Sequence, residues 1–132
     1  MRRFELGMNL EYAKDWTVVD AVREFYQNAL DEEKENPENI MSFSYNKDTQ
    51  TITISNKKSK LTPKSLLLGE SSKRGKDGLI GQHGEGYKVA TVVLMRNGIT
   101  VTIYNNENKE VWSSSLVKSR RYDSNIVVFD IE

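Results

Sequence analysis

The hydrophobic positions of the chain follow two spacings, one typical of helices and one typical of strands. Apolar side chains recur three and four positions apart through DWTVVDAVREFYQNALDEEKENP, which predicts an amphipathic helix between Asp15 and Pro37. Thr17 and Asp20 have the spacing of a capping box, so the helix should begin there. A second helix, apolar enough to be buried, is predicted over EGYKVATVVLMRNG, with Gly98 at its end.

Alternation of apolar and polar residues predicts the strands. Residues 41–56 (MSFSYNKDTQTITISN) are one predicted hairpin, residues 99–117 (ITVTIYNNENKEVWSSSLV) a second, residues 125–132 a last strand, and residues 3–10 a short strand or an arm. Because the strands come mostly as hairpins, we expect a mostly antiparallel, mixed sheet with helices on one face. The predicted fold is therefore α+β, a two-layer α/β sandwich.

Length, charge and cysteine content narrow the class of protein. A chain of 132 residues argues for one domain over residues 1–132, and lysine plus arginine balance aspartate plus glutamate at 19 each. Zero net charge and short basic clusters (KKSKLTPK, KRGK, KSRR) argue against nucleic acid as the ligand. Cysteine is absent, which excludes disulfides and thiolate metal sites. No apolar run approaches the ~20 residues that span a bilayer, and no signal-type apolar region opens the chain, so we expect no membrane contact and a cytoplasmic domain.

One face of the first predicted helix carries oxygen-bearing side chains. At about 100° per residue, Glu24, Asn28 and Asp31 fall within about 60° of one another, away from most apolar positions. Magnesium takes oxygen ligands, usually one or two from the protein, with phosphate and water completing its shell. A carboxylate beside such a site can act as a general base toward water. A solvated polar face, which surface helices routinely have, explains the same pattern.

A glycine cluster precedes the second predicted helix. Gly81, Gly84 and Gly86 have the spacing G-x-x-G-x-G, with Lys88 in the first helical turn. Backbone amides at a helix N-terminus, unobstructed by Cβ atoms, make an anion site. The spacing fits neither a P-loop nor a dinucleotide fingerprint. A flexible loop with a glycine cap is the alternative interpretation.

The helix and the glycine loop together resemble the GHKL ATPase superfamily, which includes the gyrase B subunit, the ninety-type heat-shock chaperones, histidine kinases and MutL. The family's Glu-x-x-x-Asn-x-x-Asp box is matched by EFYQNALD, and its glycine-rich box by GQHGEGYK. The stretch GESSKRGKDG resembles the ATP lid, which would span about 69–86, with Lys73 in a Ser-Lys pair that many members carry. The order of elements also matches, over nearly the whole chain.

The resemblance implies ATP and Mg²⁺ as cofactors, and it implies a role for each matching residue. Asn28 would be the magnesium ligand, and Glu24 would activate the attacking water. The presence of this glutamate favours the hydrolysing branches of the superfamily over the histidine kinases. Asp31 would support the residues that contact the nucleotide without contacting it directly. Gly81, Gly84 and Gly86 would let backbone amides approach the phosphates. Lys73 and Lys88 would add positive charge beside the phosphates.

The chain departs from the family in the box that binds adenine. The family has Asp-x-Gly-x-Gly after the first hairpin. Here Asn56 stands at the aspartate and Lys58 and Lys60 at the glycines, although a shift by one residue would put Ser55 at the aspartate. Asparagine accepts a hydrogen bond through its oxygen but also brings a donor, which would weaken selectivity for adenine or accept another base, so the base preference stays open at this point. Asn125, near a family threonine in the last strand, is a candidate partner for Asn56.

Two functions of different class follow from the resemblance. The first is a nucleotide-binding domain with weak magnesium-dependent ATPase activity, whose lid closes on ATP and changes a contact with a protein partner. The second is a degenerate GHKL-fold interaction module or inhibitor that binds nucleotide poorly or not at all. The chain ends before the second domain that supplies a lysine to the terminal phosphate in gyrase-type members, so we expect slow turnover. GHKL ATPases often dimerise through N-terminal arms, so the resemblance also leaves open a homodimer formed through residues 1–14.

Overall fold

Two helices and six strands make up the part of the chain that the computed structural model describes. The described residues are 1–58, 86–105, 108–119, 121 and 124–132. Both predicted helices and both predicted hairpins are present, and the N-terminal segment is a strand rather than a free arm. Of the predicted lid, only Gly86 lies within the described residues. In chain order the elements are β1 (Arg2–Asn9), α1 (Val18–Glu35), β2 (Met41–Asn46), β3 (Thr51–Asn56), α2 (Gly86–Arg96), β4 (Thr102–Asn105), β5 (Glu110–Ser119) and β6 (Ser124–Ile131).

The described strands form two antiparallel sheets. One has four strands in the order β1-β6-β5-β4, and the other is the β2–β3 hairpin alone. The prediction of an α+β fold with mostly antiparallel pairing is confirmed. The prediction of one sheet is not met among the described strands. Alternation shows which residues form a strand, but the choice of neighbouring strand depends on contacts distant in sequence.

The main core lies between α2 and the four-stranded sheet. β6 runs between β1 and β5, and its alternate residues Val127, Phe129 and Ile131 are buried in one cluster with Val92 of α2 and Trp112 of β5. Burying a side chain of this size stabilises the fold by roughly 1.5–3 kcal/mol relative to leaving it exposed. This cluster therefore fixes α2 on the sheet.

Small side chains bring α1 against α2. Ala21 and Ala90 are fully buried in the cluster between the two helices, so the backbones can approach closely. The helices run in opposite directions, because α2 begins beside Glu24 and ends at Arg96, which reaches the loop before α1. The Arg96 guanidinium donates to four backbone carbonyl oxygens of that loop. They belong to Leu10 and Tyr12, both at 2.7 Å, Ala13 at 3.1 Å and Trp16 at 3.4 Å.

The helix ends follow the predicted signals. Thr17 caps α1: its hydroxyl accepts a hydrogen bond from the Asp20 N–H at 3.2 Å, and the Asp20 carboxylate accepts one from the Thr17 N–H at 2.8 Å. After α2 the chain turns at Gly98, which has a φ of +79° and donates its N–H to the Met95 carbonyl oxygen at 3.0 Å. Side chains other than hydrogen are strained at that φ, which explains the glycine.

The capping box should make stability depend on pH in acid. The Asp20 pKa is lowered from its ordinary 3.8, mainly by the hydrogen bond from the Thr17 N–H and then by that from the Thr17 hydroxyl. Because the folded-state pKa lies below the unfolded one, this stabilisation is complete above about pH 4 and is lost as the pH falls through the lowered value. Asp20→Asn should therefore destabilise the protein at about pH 6, and the difference should shrink toward about pH 2. Urea unfolding across this range measures the difference, with Thr17→Ala as the matched change in the same box. A difference that does not vary with pH would contradict the prediction.

Candidate functional site

The polar face of α1 brings together the three side chains that the sequence singled out. Glu24, Asn28 and Asp31 are all half-buried on this helix. Asp31 accepts a hydrogen bond from the Gln27 Nε2 group at 2.9 Å. Within the described part of the chain, Glu24 and Asn28 make no hydrogen bond or ion pair. Their oxygens are therefore not committed to the fold, which suits side chains that serve a ligand.

The Glu24 carboxylate lies directly against the first residue of α2. A Cβ atom placed on Gly86 would overlap the Glu24 carboxylate and would come within 3.2 Å of its Cγ. The two sequence motifs are far apart along the chain, but the packing of α1 on α2 brings them into contact. This contact places a carboxylate beside the N-terminus of a helix, where free backbone N–H groups and the helix dipole concentrate positive potential.

Lys88 lies in the first turn of the second helix, as predicted, but inside the protein. It stands in the first turn of α2 and its residue is only 1 % exposed. A buried ammonium is costly unless it is paired. The sequence predicted its charge near the glycine loop but gave no sign of its burial.

Asn56 is tied into the fold through its amide nitrogen. Its Nδ2 donates to the Ala29 carbonyl oxygen at 3.0 Å and to the Asn39 carbonyl oxygen at 3.1 Å. Both neighbours are acceptors, so the orientation of the amide is set by the hydrogen-bond network. The donor that the sequence analysis noted is therefore consumed inside the protein, and Oδ1, an acceptor, is the group left for a ligand.

Asn39, which the sequence analysis missed, is the centre of this network. It is 4 % exposed, its Oδ1 accepts the Lys58 N–H at 2.6 Å, and its Nδ2 donates to the Lys58 carbonyl oxygen at 3.0 Å and to Glu32 at 2.9 Å. These bonds join the end of α1 to the chain leaving β3. The backbone of Lys58 is therefore held on both its N–H and its carbonyl oxygen by a side chain from the turn between α1 and β2. A single buried asparagine in a polar turn carries no local signal for such a role.

Asn125 lies apart from Asn56 in the hydrogen-bond pattern. It is exposed at the start of β6, opposite Lys118 of β5, on the sheet face that α2 covers further along. Among the described residues, no hydrogen bond joins it to Asn56, whose amide nitrogen is already used. The remaining predicted site residues, Lys73, Gly81 and Gly84, and also Lys60, lie outside the described residues.

An open cleft of about 360 Å³ runs along the first half of α1 and includes Glu24. Its other lining residues are Trp16, Asp20, Arg23 and Gln27. The cleft leaves Glu24 accessible to water, as a group that activates a water molecule must be. In the described ranges no group of three or more histidine, aspartate or glutamate side chains is placed to hold a metal ion. A magnesium ion here would depend on Asn28 with phosphate and water.

Comparison of the chain with protein-family models, curated proteins and solved structures gives no significant match. Neither of the two described helices has the length and apolar character needed to cross a membrane.

The Asn56 bonds predict the result of replacing this asparagine with aspartate. Asn56→Asp would point a carboxylate at two carbonyl oxygens and lose both hydrogen bonds, so it should destabilise the protein by about 1–3 kcal/mol. Asn56→Ala removes the same bonds without adding charge and should cost less. Urea unfolding of the two variants measures the difference. Equal stability of Asn56→Asp and the wild type would mean that the amide does not hold α1 and the turn together.

Proposed function

We propose that this domain binds ATP with Mg²⁺ in the manner of the GHKL ATPases and hydrolyses it slowly. The observation that carries the proposal is the contact between Glu24 and Gly86. The residue that would activate water and the residue that would begin the phosphate-binding helix lie far apart in sequence and meet in the fold. A solvated polar face on α1 would not require this meeting.

The groups at and beside this contact would each have a separate task in ATP hydrolysis. The phosphates would lie at the N-terminus of α2, where backbone N–H groups favour anions. Asn28 would hold Mg²⁺ through its Oδ1 atom, with phosphate oxygens and water as the other ligands. Glu24 would take a proton from a water molecule as its oxygen attacks the terminal phosphorus, and ADP would leave.

The Asn56 oxygen supports adenine as the base. With both amide hydrogens bonded to Ala29 and Asn39, the side chain offers only an acceptor, as the family's aspartate does. An acceptor matches the adenine amino group, and it meets the guanine carbonyl oxygen unfavourably. Closing of the predicted lid on ATP would then change a contact with a protein partner.

Calorimetric titration with a non-hydrolysable ATP analogue tests the proposal. We expect saturable binding that strengthens with Mg²⁺ in the wild type. Asn28→Ala removes the magnesium ligand, so its affinity with Mg²⁺ should fall by roughly 10-fold or more, while its affinity without Mg²⁺ should change little.

Matched controls separate binding from hydrolysis. Glu24→Gln keeps the shape of the side chain and should bind the analogue like the wild type, yet lose roughly 10²–10⁴-fold in ATP turnover, the usual contribution of a general base. Glu35→Gln, which makes the same change at an exposed carboxylate at the far end of α1 and outside the proposed site, should change neither quantity by much. If the wild type bound no nucleotide, the proposal would be wrong. If Glu24→Gln kept the wild-type turnover, its role as the base would be wrong.

A second candidate function, protein interaction, is favoured by the β2–β3 hairpin. Its two strands contain no charged residue, and one face exposes Phe43 by 48 %, Tyr45 by 58 % and Ile52 by 44 %. Phe43 also stacks edge-on against Tyr26 of α1, with ring centroids 5.7 Å apart. Uncharged apolar strands of this kind are sites where another strand or an apolar surface can bind.

Nucleotide dependence distinguishes the two candidates. If the hairpin alone recruits a partner, affinity capture should recover one dominant protein at equal yield with and without ATP. Ile52→Thr keeps a β-branched side chain but removes apolar surface, so it should weaken capture several-fold. Thr53→Ser, on the opposite face, should leave it unchanged. Capture that survives Ile52→Thr would rule out the hairpin as the binding surface.

A further inference from the structure

Gly86 has no backbone reason to be glycine. Among the described residues, the glycines with positive φ are Gly7, at +76°, and Gly98, at +79°. Apart from adjacent residues, no atom lies within 4 Å of the place where a Cβ of either would stand. Gly86 has an ordinary helical conformation at the start of α2. Alanine at such a position normally stabilises a protein, because it restricts the unfolded chain.

The space beside Gly86 is filled by Glu24. The three atoms nearest to a Cβ built on Gly86 are Oε2, Cδ and Cγ of Glu24. The carboxylate cannot move away together with its helix, because the buried alanines Ala21 and Ala90 hold α1 and α2 in contact. Any side chain at position 86 must therefore change the rotamer of Glu24 or separate the two helices.

We infer that Gly86 is a positioning residue for Glu24. Because Gly86 has no side chain, the Glu24 carboxylate can occupy the space beside the first turn of α2. This differs from the usual role of glycine in a phosphate loop, which is to let the ligand approach the backbone. The steric claim stands without a ligand. Its consequence for catalysis rests on the proposed function, because Glu24 positions a water molecule only if ATP is hydrolysed.

A mutant cycle in thermal unfolding tests the steric claim, because the size of the effect should depend on residue 24. In Glu24→Ala the space is empty, so Gly86→Ala should raise Tm by roughly 2–4 °C. In the wild type and in Glu24→Gln, whose side chain has the same size, much of this gain should be lost, because the end of side chain 24 must rotate away from the new Cβ atom. The matched control is Gly98→Ala, which is strained by its φ and should lower Tm equally in all three backgrounds.

The result that would overturn the inference is a Gly86→Ala effect of the same sign and size in all three backgrounds. If Gly86→Ala alone fails to fold, folding of Glu24→Ala/Gly86→Ala supports the inference, and its failure to fold contradicts it.

ATP turnover gives a second, separate readout. In an active wild type, Gly86→Ala should lower kcat by about 10-fold or more and change KM less, since it displaces the base rather than the nucleotide. An effect confined to KM would instead assign Gly86 to phosphate binding. If the wild type showed no turnover, the proposed function would fail, while the Tm cycle would still decide the steric claim.

Discussion

The close contact between α1 and α2 is the constraint on which the rest of the structure depends. Ala21 and Ala90 are fully buried in the cluster between the two helices, where their small side chains allow close packing, and the helices run in opposite directions. The opposite face of α2 is fixed to the sheet by its cluster with β5 and β6. α1 is thereby placed over the core without touching most of it, and its polar face is carried to the start of α2. Larger side chains at either alanine would separate Glu24 from Gly86.

Local patterns predicted the elements well, because the causes of helix and strand formation lie within a few residues. The cap at Thr17, the turn at Gly98 and the alternation of MSFSYN and TITISN each act over one or two turns of chain, and the structure confirms all three. The class of the fold followed from them. The division into two described sheets did not follow, since pairing is decided by contacts between distant segments.

The candidate site was predictable only in part, for the same reason. A helical wheel places Glu24 and Asn28 on one face, and the structure leaves both uncommitted to internal hydrogen bonds among the described residues. No sequence pattern indicates that Lys88 is buried, that Asn39 organises the turn after α1, or that the Asn56 amide donates inward. Such facts depend on which segments fold against one another. They also define what Asn56 does in the fold: its amide nitrogen ties α1 to the turn after it, and its Oδ1 takes no part in those two bonds.

Arg96 gives α2 a second role besides covering the sheet. One guanidinium satisfies four carbonyl oxygens of the loop from Leu10 to Trp16, so that loop is ordered by the last turn of α2 rather than by bonds of its own alone. The helix is a short rigid rod, about 16 Å long at 1.5 Å per residue, with Gly86 at one end and Arg96 at the other. The loop that follows the edge strand β1 and the place where Glu24 lies are therefore fixed to opposite ends of the same helix.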